Sequence, residues 1–306
     1  MQRVGYIDTL KGFAIIWIVW WHLKHPEFIN PYYHVPLFFF ISGIFFKEYP
    51  FRCFLKKKIS SLLIPLVFFY LVAYVWRILV YYFVNRCWNA FDYSHIWDFF
   101  AIDKGQNYLF VNVPLWFIMS LFVIEFLYYF LIKFLPKPAI FLIAIGCVVM
   151  KEQVINFASP FMINNSLYWW TFFAFGHLFG GRLIEILKSY KSTIVVVVTS
   201  ALIYILCKPL QTYCFIIIAF AFFAWIGQLS VLRPIKYCGV NSLIIFGLHS
   251  PMNITVGHII ESFYHFKAPL WTGALEAFVT VVIISLLAGN INKCLSFIRQ
   301  KILSIE

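Results

Sequence analysis

The stretch Ile7–His22, IDTLKGFAIIWIVWWH, decides how this chain is read. It is an apolar run of membrane-helix character, yet Asp8 and Lys11 open it and His22 closes it. On a helix with Asp8 set at zero, Lys11 falls at about 300°, Ile15 at about 340°, Val19 at about 20° and His22 at about 320°. The three ionisable groups therefore share one face. Trp17, Trp20 and Trp21 fall at about 180°, 120° and 220°, on the other side. A polar face on a membrane helix must look into the bundle or a wet cavity, because charge is expensive in lipid. Lys11 and His22 stand ~16 Å apart along an unbroken helix, so they cannot touch. They read as two ends of one elongated site. The plainer alternative pairs Asp8 with Lys11 at i, i+3 near the headgroups and leaves His22 as a helix end.

The rest of the chain supports the membrane reading. Of its 306 residues 63% are hydrophobic and only 12% are charged, which excludes an ordinary soluble domain. The 37 Phe, 18 Tyr and 11 Trp suit helix packing and the two bilayer interfaces. No small-residue cleavage site follows the first apolar stretch, so it is expected to stay as a helix. With ~20 apolar residues needed per crossing, ten segments are expected. They lie near 7–23, 34–50, 60–84, 114–135, 138–150, 166–187, 193–208, 212–230, 239–260 and 270–290. The predicted fold is an all-α polytopic membrane protein with about ten transmembrane helices, a single domain over residues 1–306.

Charge orients it. With the N-terminus in the cytoplasm, Arg3, Lys11, Lys47, Arg52, Lys56, Lys57, Lys58, Lys133, Lys137 and most later cations fall inside. Lys24, Arg77, Arg86, Lys104, Lys151, Lys208 and Lys267 fall outside. This bias favours both termini in the cytoplasm. It also explains the net charge of +12 without a nucleic-acid partner. The seven Cys form no CxxC pair and no Cys/His set, so no metal site is expected. The longest polar stretch, 85–113, carries Asp92, His95, Asp98 and Asp103 and is expected as an outward loop with a role or a solvated cap.

Beyond Ile7–His22 come HVPLFFFISG (His34–Gly43), a basic stretch FRCFLKKK (Phe51–Lys58) and then LLIP ending at Pro65. Together these resemble the acyltransferase-3 family of bacterial membrane O-acyltransferases. That family's first-helix mark, a basic residue, ten spacers and a His, is met by Lys11 and His22. Its second-helix F-F-x-x-S-G pattern is met by Phe39, Phe40, Ser42 and Gly43. PLWFIMSLF (Pro114–Phe122) and YCGVNSLIIFGLHSPM (Tyr237–Met252) are similar to later family segments, with Asn241, Ser242 and His249 at matching places. There are two departures. Lys56, Lys57 and Lys58 stand where many members carry paired Arg, and Lys lacks the bidentate fork. Leu121 stands where a Glu follows the family's Trp, and no role is carried to Glu125.

The resemblance implies transfer of an acetyl or similar acyl group from acyl-CoA to a sugar hydroxyl of a surface polysaccharide or glycolipid. It implies a bacterial cytoplasmic (inner) membrane and no permanently bound cofactor. His22 is the expected general base, with a covalent acyl-His left open. Arg52, Lys56, Lys57 and Lys58 are expected at the coenzyme's phosphates, and Lys11 where the donor enters. Asp8, His34, Ser42, Asn241 and His249 are expected as substrate or supporting groups, with His34 a possible neighbour of His22. Glu125 and Glu276 are intramembrane carboxylates that suit structural pairs. His177 reads as structural, His258 and His265 as surface residues. A transporter or flippase for a lipid-linked sugar is the competing reading, and a scaffold without catalysis the third.

Overall fold

The computed structural model describes residues 4–27, 33–88, 91–100, 109–149, 159, 161, 163–262 and 269–303. Arg3, Asp103, Lys104, Lys151, His265 and Lys267, which entered the expectations above, lie outside them. Among the described residues the regular structure is entirely helical. The helices are α1 (Gly5–Trp21), α2 (His34–Ile44), α3 (Phe51–Lys58), α4 (Ile64–Asn85), α5 (Trp116–Phe134), α6 (Lys137–Val149), α7 (Ile163–Ile186), α8 (Tyr190–Leu206), α9 (Gln211–Ile226), α10 (Arg233–Val240), α11 (Ser242–Ser262) and α12 (Trp271–Leu303).

Each of the ten expected segments falls on a helix. Among the described residues five stretches are long and apolar enough to cross a bilayer: Phe51–Phe83, Phe110–Phe134, Lys208–Ile226, Ser242–Ile260 and Trp271–Ile302. The chain is a multi-pass membrane protein. α2, α6 and α8 are shorter apolar helices.

Two boundaries differ from the sequence reading. α2 stops at Ile44 instead of reaching 50, because Lys47, Glu48 and Pro50 follow and the residue before a proline avoids helical geometry. The basic stretch after it is a helix, not a loop. α3 runs into α4 through a single π-helical turn, Ile59–Leu63. Pro65 sits just beyond this turn, and it has no N–H to give the carbonyl four residues back.

Close backbone approach fixes the centre of the bundle. A Cβ on Gly12 of α1 would overlap the Ile235 carbonyl of α10, and one on Gly239 would overlap the Asp8 carbonyl. A Cβ on Gly43 of α2 would overlap the Phe173 carbonyl of α7, and one on Gly176 the Phe40 carbonyl. Small residues let membrane helices meet backbone to backbone, where packing rather than water drives association. α1 is thereby held deep in the molecule, with Ala14, Ile15, Ile18 and Val19 all buried.

The described part of the 85–113 stretch folds back as 3₁₀ turns, Tyr93–Phe100 and Phe110–Leu115. The Tyr70 hydroxyl of α4 donates to the His95 carbonyl and to Asp98 Oδ2. Asp98 Oδ2 also accepts the Phe110 N–H at 3.0 Å and pairs with His95 at 3.3 Å. Asn112 then donates to the Gly247 carbonyl in α11 at 2.8 Å. The stretch is thus pinned between α4 and α11, and its end leads directly into the site.

Candidate active site

Two cavities lie along the polar face of α1. The larger, about 320 Å³, is lined by Lys11, Ser42, Lys58, Glu125 and Ser242 on otherwise apolar walls. The smaller, about 160 Å³, is lined by Trp21, His22, Pro114, Trp116 and Trp169. Ile18, Val35, Phe117 and Phe246 line both. The two spaces therefore adjoin at these four side chains, with Lys11 on one side of them and His22 on the other. The one-face pattern of α1 leads to the expectation of one elongated site with Lys11 and His22 at its ends.

His22 closes α1 and is exposed to this space. Its Nδ1 lies 2.8 Å from the Ile18 carbonyl. A carbonyl only accepts, so Nδ1 carries the hydrogen and Nε2 keeps its lone pair. That is the tautomer a base needs. His249 of α11 is fully buried, with its ring 4.9 Å from that of His22 at 65°. Its Nδ1–H is given to the Phe246 carbonyl at 2.8 Å, by the same logic. Its Nε2 has no hydrogen-bond partner among the described residues. Sequence showed His249 as a candidate. Only the fold shows that it touches His22.

At the other end, Lys11 lies 3.2 Å from Asp8 and still lines the larger cavity. Both readings of this pair hold together: Asp8 and Lys11 are an i, i+3 ion pair, and Lys11 faces the lane. Ser42 gives its hydroxyl hydrogen to the Phe38 carbonyl at 2.8 Å and also faces the cavity.

Lys58 Nζ lies 2.7 Å from Glu125 Oε2, in a pair only 19% and 5% exposed. Its charge is therefore already matched by a carboxylate. Arg52, Lys56 and Lys57 are exposed, and Lys57 Nζ lies 3.4 Å over the Tyr49 ring.

His34 is placed differently from the expectation that it neighbours His22. It is buried against the Trp side of α1, stacked on Trp17 at 5.0 Å and meeting Phe215 at 5.6 Å. α2 docks so that Val35, Phe38 and Ser42 face the lane instead. Asn241 is the second displaced residue. It caps α10, donates to the Tyr237 carbonyl and accepts from Asn292 of α12 at 3.0 Å. Its neighbour Ser242 is the one that reaches the cavity.

Sequence reasoning missed the aromatic box around His22. Trp116 and Trp169 stack with centroids 6.3 Å apart, and the Trp169 indole donates to Asn165 at 2.9 Å. Trp169 lies in a run of aromatics whose inward member cannot be picked from composition alone. Of the remaining candidates, His177 is bonded to the Tyr128 hydroxyl at 2.8 Å and packs on Phe46, as a structural residue does. His258 is exposed, and Glu276 is buried beside Gly257. Among the described residues no three His, Cys, Asp or Glu side chains gather as a metal site.

Residues 4–289 match the family model for acyltransferase-3, described as an acyltransferase domain. No curated protein and no solved structure matches the chain.

Proposed function

The chain belongs to the acyltransferase-3 family of membrane acyltransferases, and on that premise we propose that it moves an acetyl or similar acyl group from acyl-CoA to a sugar hydroxyl. The acceptor is a cell-surface polysaccharide or glycolipid, and the enzyme sits in a bacterial cytoplasmic membrane with ten spans and both termini inside. The observation that carries this reading is the two-ended lane, with cations at one end and His22 with a free Nε2 at the other.

The donor is made in the cytoplasm, so it arrives at the Lys11 end. Arg52, Lys56 and Lys57 on α3 are exposed cations and attract the coenzyme's phosphates, as ammonium and guanidinium groups do. Lys58 contributes less there, because Glu125 already holds it. The pantetheine arm runs along α1 and brings the thioester to His22. There Nε2 takes the proton of the acceptor hydroxyl as its oxygen attacks the thioester carbonyl. The carbon–sulfur bond breaks, and the departing thiolate takes the same proton back from His22. The products are the O-acyl ester and free coenzyme A thiol, with no net proton released. The Nδ1–H bond to the Ile18 carbonyl steadies the imidazolium formed in between.

General-base help of this kind is worth ~10²–10⁴-fold. Membranes given radiolabelled acetyl-CoA and host glycans are expected to label polysaccharide or glycolipid, with label falling by that factor in His22→Ala. Elution of the detergent-solubilised variant as a single species checks its folding. Equal labelling in both proteins removes His22 from the chemistry. No labelling in either, with donor and acceptor supply confirmed, turns the reading to transport of a lipid-linked sugar. Acyl label retained on the protein after acceptor is withheld selects the acyl-histidine route.

A further inference from the structure

The waist between the two cavities is built by one residue from each of four helices: Ile18 of α1, Val35 of α2, Phe117 of α5 and Phe246 of α11. Phe117 and Phe246 meet edge-on across it, with centroids 5.3 Å apart at 63°. Ile18 and Phe246 are buried, and Phe117 is wedged against Phe39 at 4.6 Å. All four side chains are apolar. Such a ring reads size, not charge.

We infer that this waist, together with the small aromatic chamber beyond it, sets the length of the acyl group, admitting acetyl and its nearest homologues and rejecting long chains. The inference rests on the acyltransferase reading above and adds to it the residues that choose the donor. If the thioester arrives from the Lys11 side, its carbonyl must reach the acceptor hydroxyl held at His22 Nε2, so the acyl tail comes to rest in the His22 chamber or back in the waist. That chamber is about 160 Å³. An apolar protein cavity of about 150 Å³ holds one benzene ring. Space of that size takes a short acyl group beside the edge of an acceptor hydroxyl. Trp116 and Trp169 line one wall and Phe117 and Phe246 another, so an eight-carbon tail exceeds what the chamber itself can hold.

The larger cavity offers no such restriction. At about 320 Å³ it is twice the size and carries Lys11, Ser42 and Ser242, polar groups that suit the amide-bearing pantetheine arm. The lane thus sorts the donor by its parts. The polar arm stays on the Lys11 side and only a compact acyl group passes.

In an apolar pocket each methylene discriminates by ~10–200-fold. Acetyl-CoA, butyryl-CoA and octanoyl-CoA should be supplied singly to membranes carrying the full-length protein, and kcat/KM measured for each. The wild type is expected to favour acetyl over octanoyl by at least ~10-fold. Phe117→Ala and Val35→Ala are expected to narrow that ratio at least ~10-fold, mainly by raising the rate with the longer donors. Val35→Ala removes little packing, so it serves if Phe117→Ala fails to fold. Val35→Phe is expected to act oppositely and lower butyryl transfer more than acetyl. A wild type that uses octanoyl as well as acetyl overturns the inference while leaving the acyltransferase intact. Truncations that slow every donor in proportion also overturn it, because they make the waist merely structural. A wild type that transfers no acyl group from any donor removes both this inference and the reading on which it rests.

Discussion

Lys58 and Glu125 place a full ion pair inside an apolar molecule. Charges removed from water cost several kcal/mol each, and their mutual attraction offsets this only while both remain. Lys58→Met or Glu125→Leu alone is therefore expected to destabilise the protein by about 3–5 kcal/mol. The double variant Lys58→Met/Glu125→Leu is expected to regain most of that loss, since no buried charge is left alone. Thermal unfolding in detergent of the four proteins measures the coupling. A double variant no more stable than the sum of the singles shows that the two charges do not act as a pair. The same proteins separate structure from donor binding: if Lys58 is a structural cation, the double variant keeps its KM for acetyl-CoA. At this scale the sequence showed what one helix carries and little else. Lys11 and His22 were legible because helical geometry alone puts them on one face. The partnership of Lys58 with Glu125, and of His22 with His249, was not, because each joins helices distant in the chain. His34 was misjudged for a related reason. Proximity in sequence to His22 says nothing about which side of α1 receives α2.

Which side that is depends on glycines, and here the element scale makes its own test. Gly43 and Gly176 are where α2 and α7 meet backbone to backbone, while a Cβ on Gly146 or Gly289 would have open space around it. The same substitution should then act with opposite sign. Gly146→Ala and Gly289→Ala gain helix propensity of up to ~1 kcal/mol with nothing to displace. Gly43→Ala and Gly176→Ala force the two backbones apart and are expected to cost about 1–3 kcal/mol, typical of overpacking, despite the same propensity gain. Melting midpoints in one detergent check all four. Loss at Gly146 or Gly289 equal to that at Gly43 means the glycines act through something other than this contact. A shift of α2 also moves Val35, Phe38 and Ser42, so the Gly43 and Gly176 variants are expected to lose transfer before they lose folding. Hydropathy located every one of these helices. It did not show that FRCFLKKK is helical, since a run of cations after a membrane segment reads as a loop until Pro50 is recognised as a helix start.

The whole molecule links these pieces through its orientation. Lys11 and Lys58 share the larger cavity, and His22 and Pro114 share the smaller. The α3 end of the α3–α4 helix therefore lies with the start of α1, and the chain following α4 lies with its end. The charge bias, too, puts Lys11 and Lys58 on one side; that this side is the cytoplasm is part of the proposed reading. On the proposed function, a donor that meets Lys11 and an acceptor that meets His22 then approach from opposite faces, provided that α1 crosses the bilayer. The native cysteines test this without further engineering. Cys53, Cys87 and Cys294 are exposed, whereas Cys214 and Cys238 are buried. Phe51–Phe83 is a 33-residue helix, so it is ~50 Å long, more than the ~40–45 Å of a bilayer with its headgroups. Cys53, near its start, and Cys87, just past α4, must then emerge on opposite sides. Cys294 lies in the last third of α12, beyond the ~20 residues needed to cross from Trp271. A membrane-impermeant maleimide applied to spheroplasts is expected to modify Cys87 and to spare Cys53 and Cys294, which react only after the membrane is opened. Peptide mass mapping reads the three sites separately. Modification of Cys53 and Cys294 in sealed cells, with Cys87 spared, inverts the protein and puts His22 in the cytoplasm beside the donor. Modification of Cys87 and Cys294 together breaks the even number of crossings between α3 and the end of α12. The first result removes the reason for an elongated lane, because the acyl group would no longer need to travel from one face of the membrane to the other; the second relocates only the end of α12.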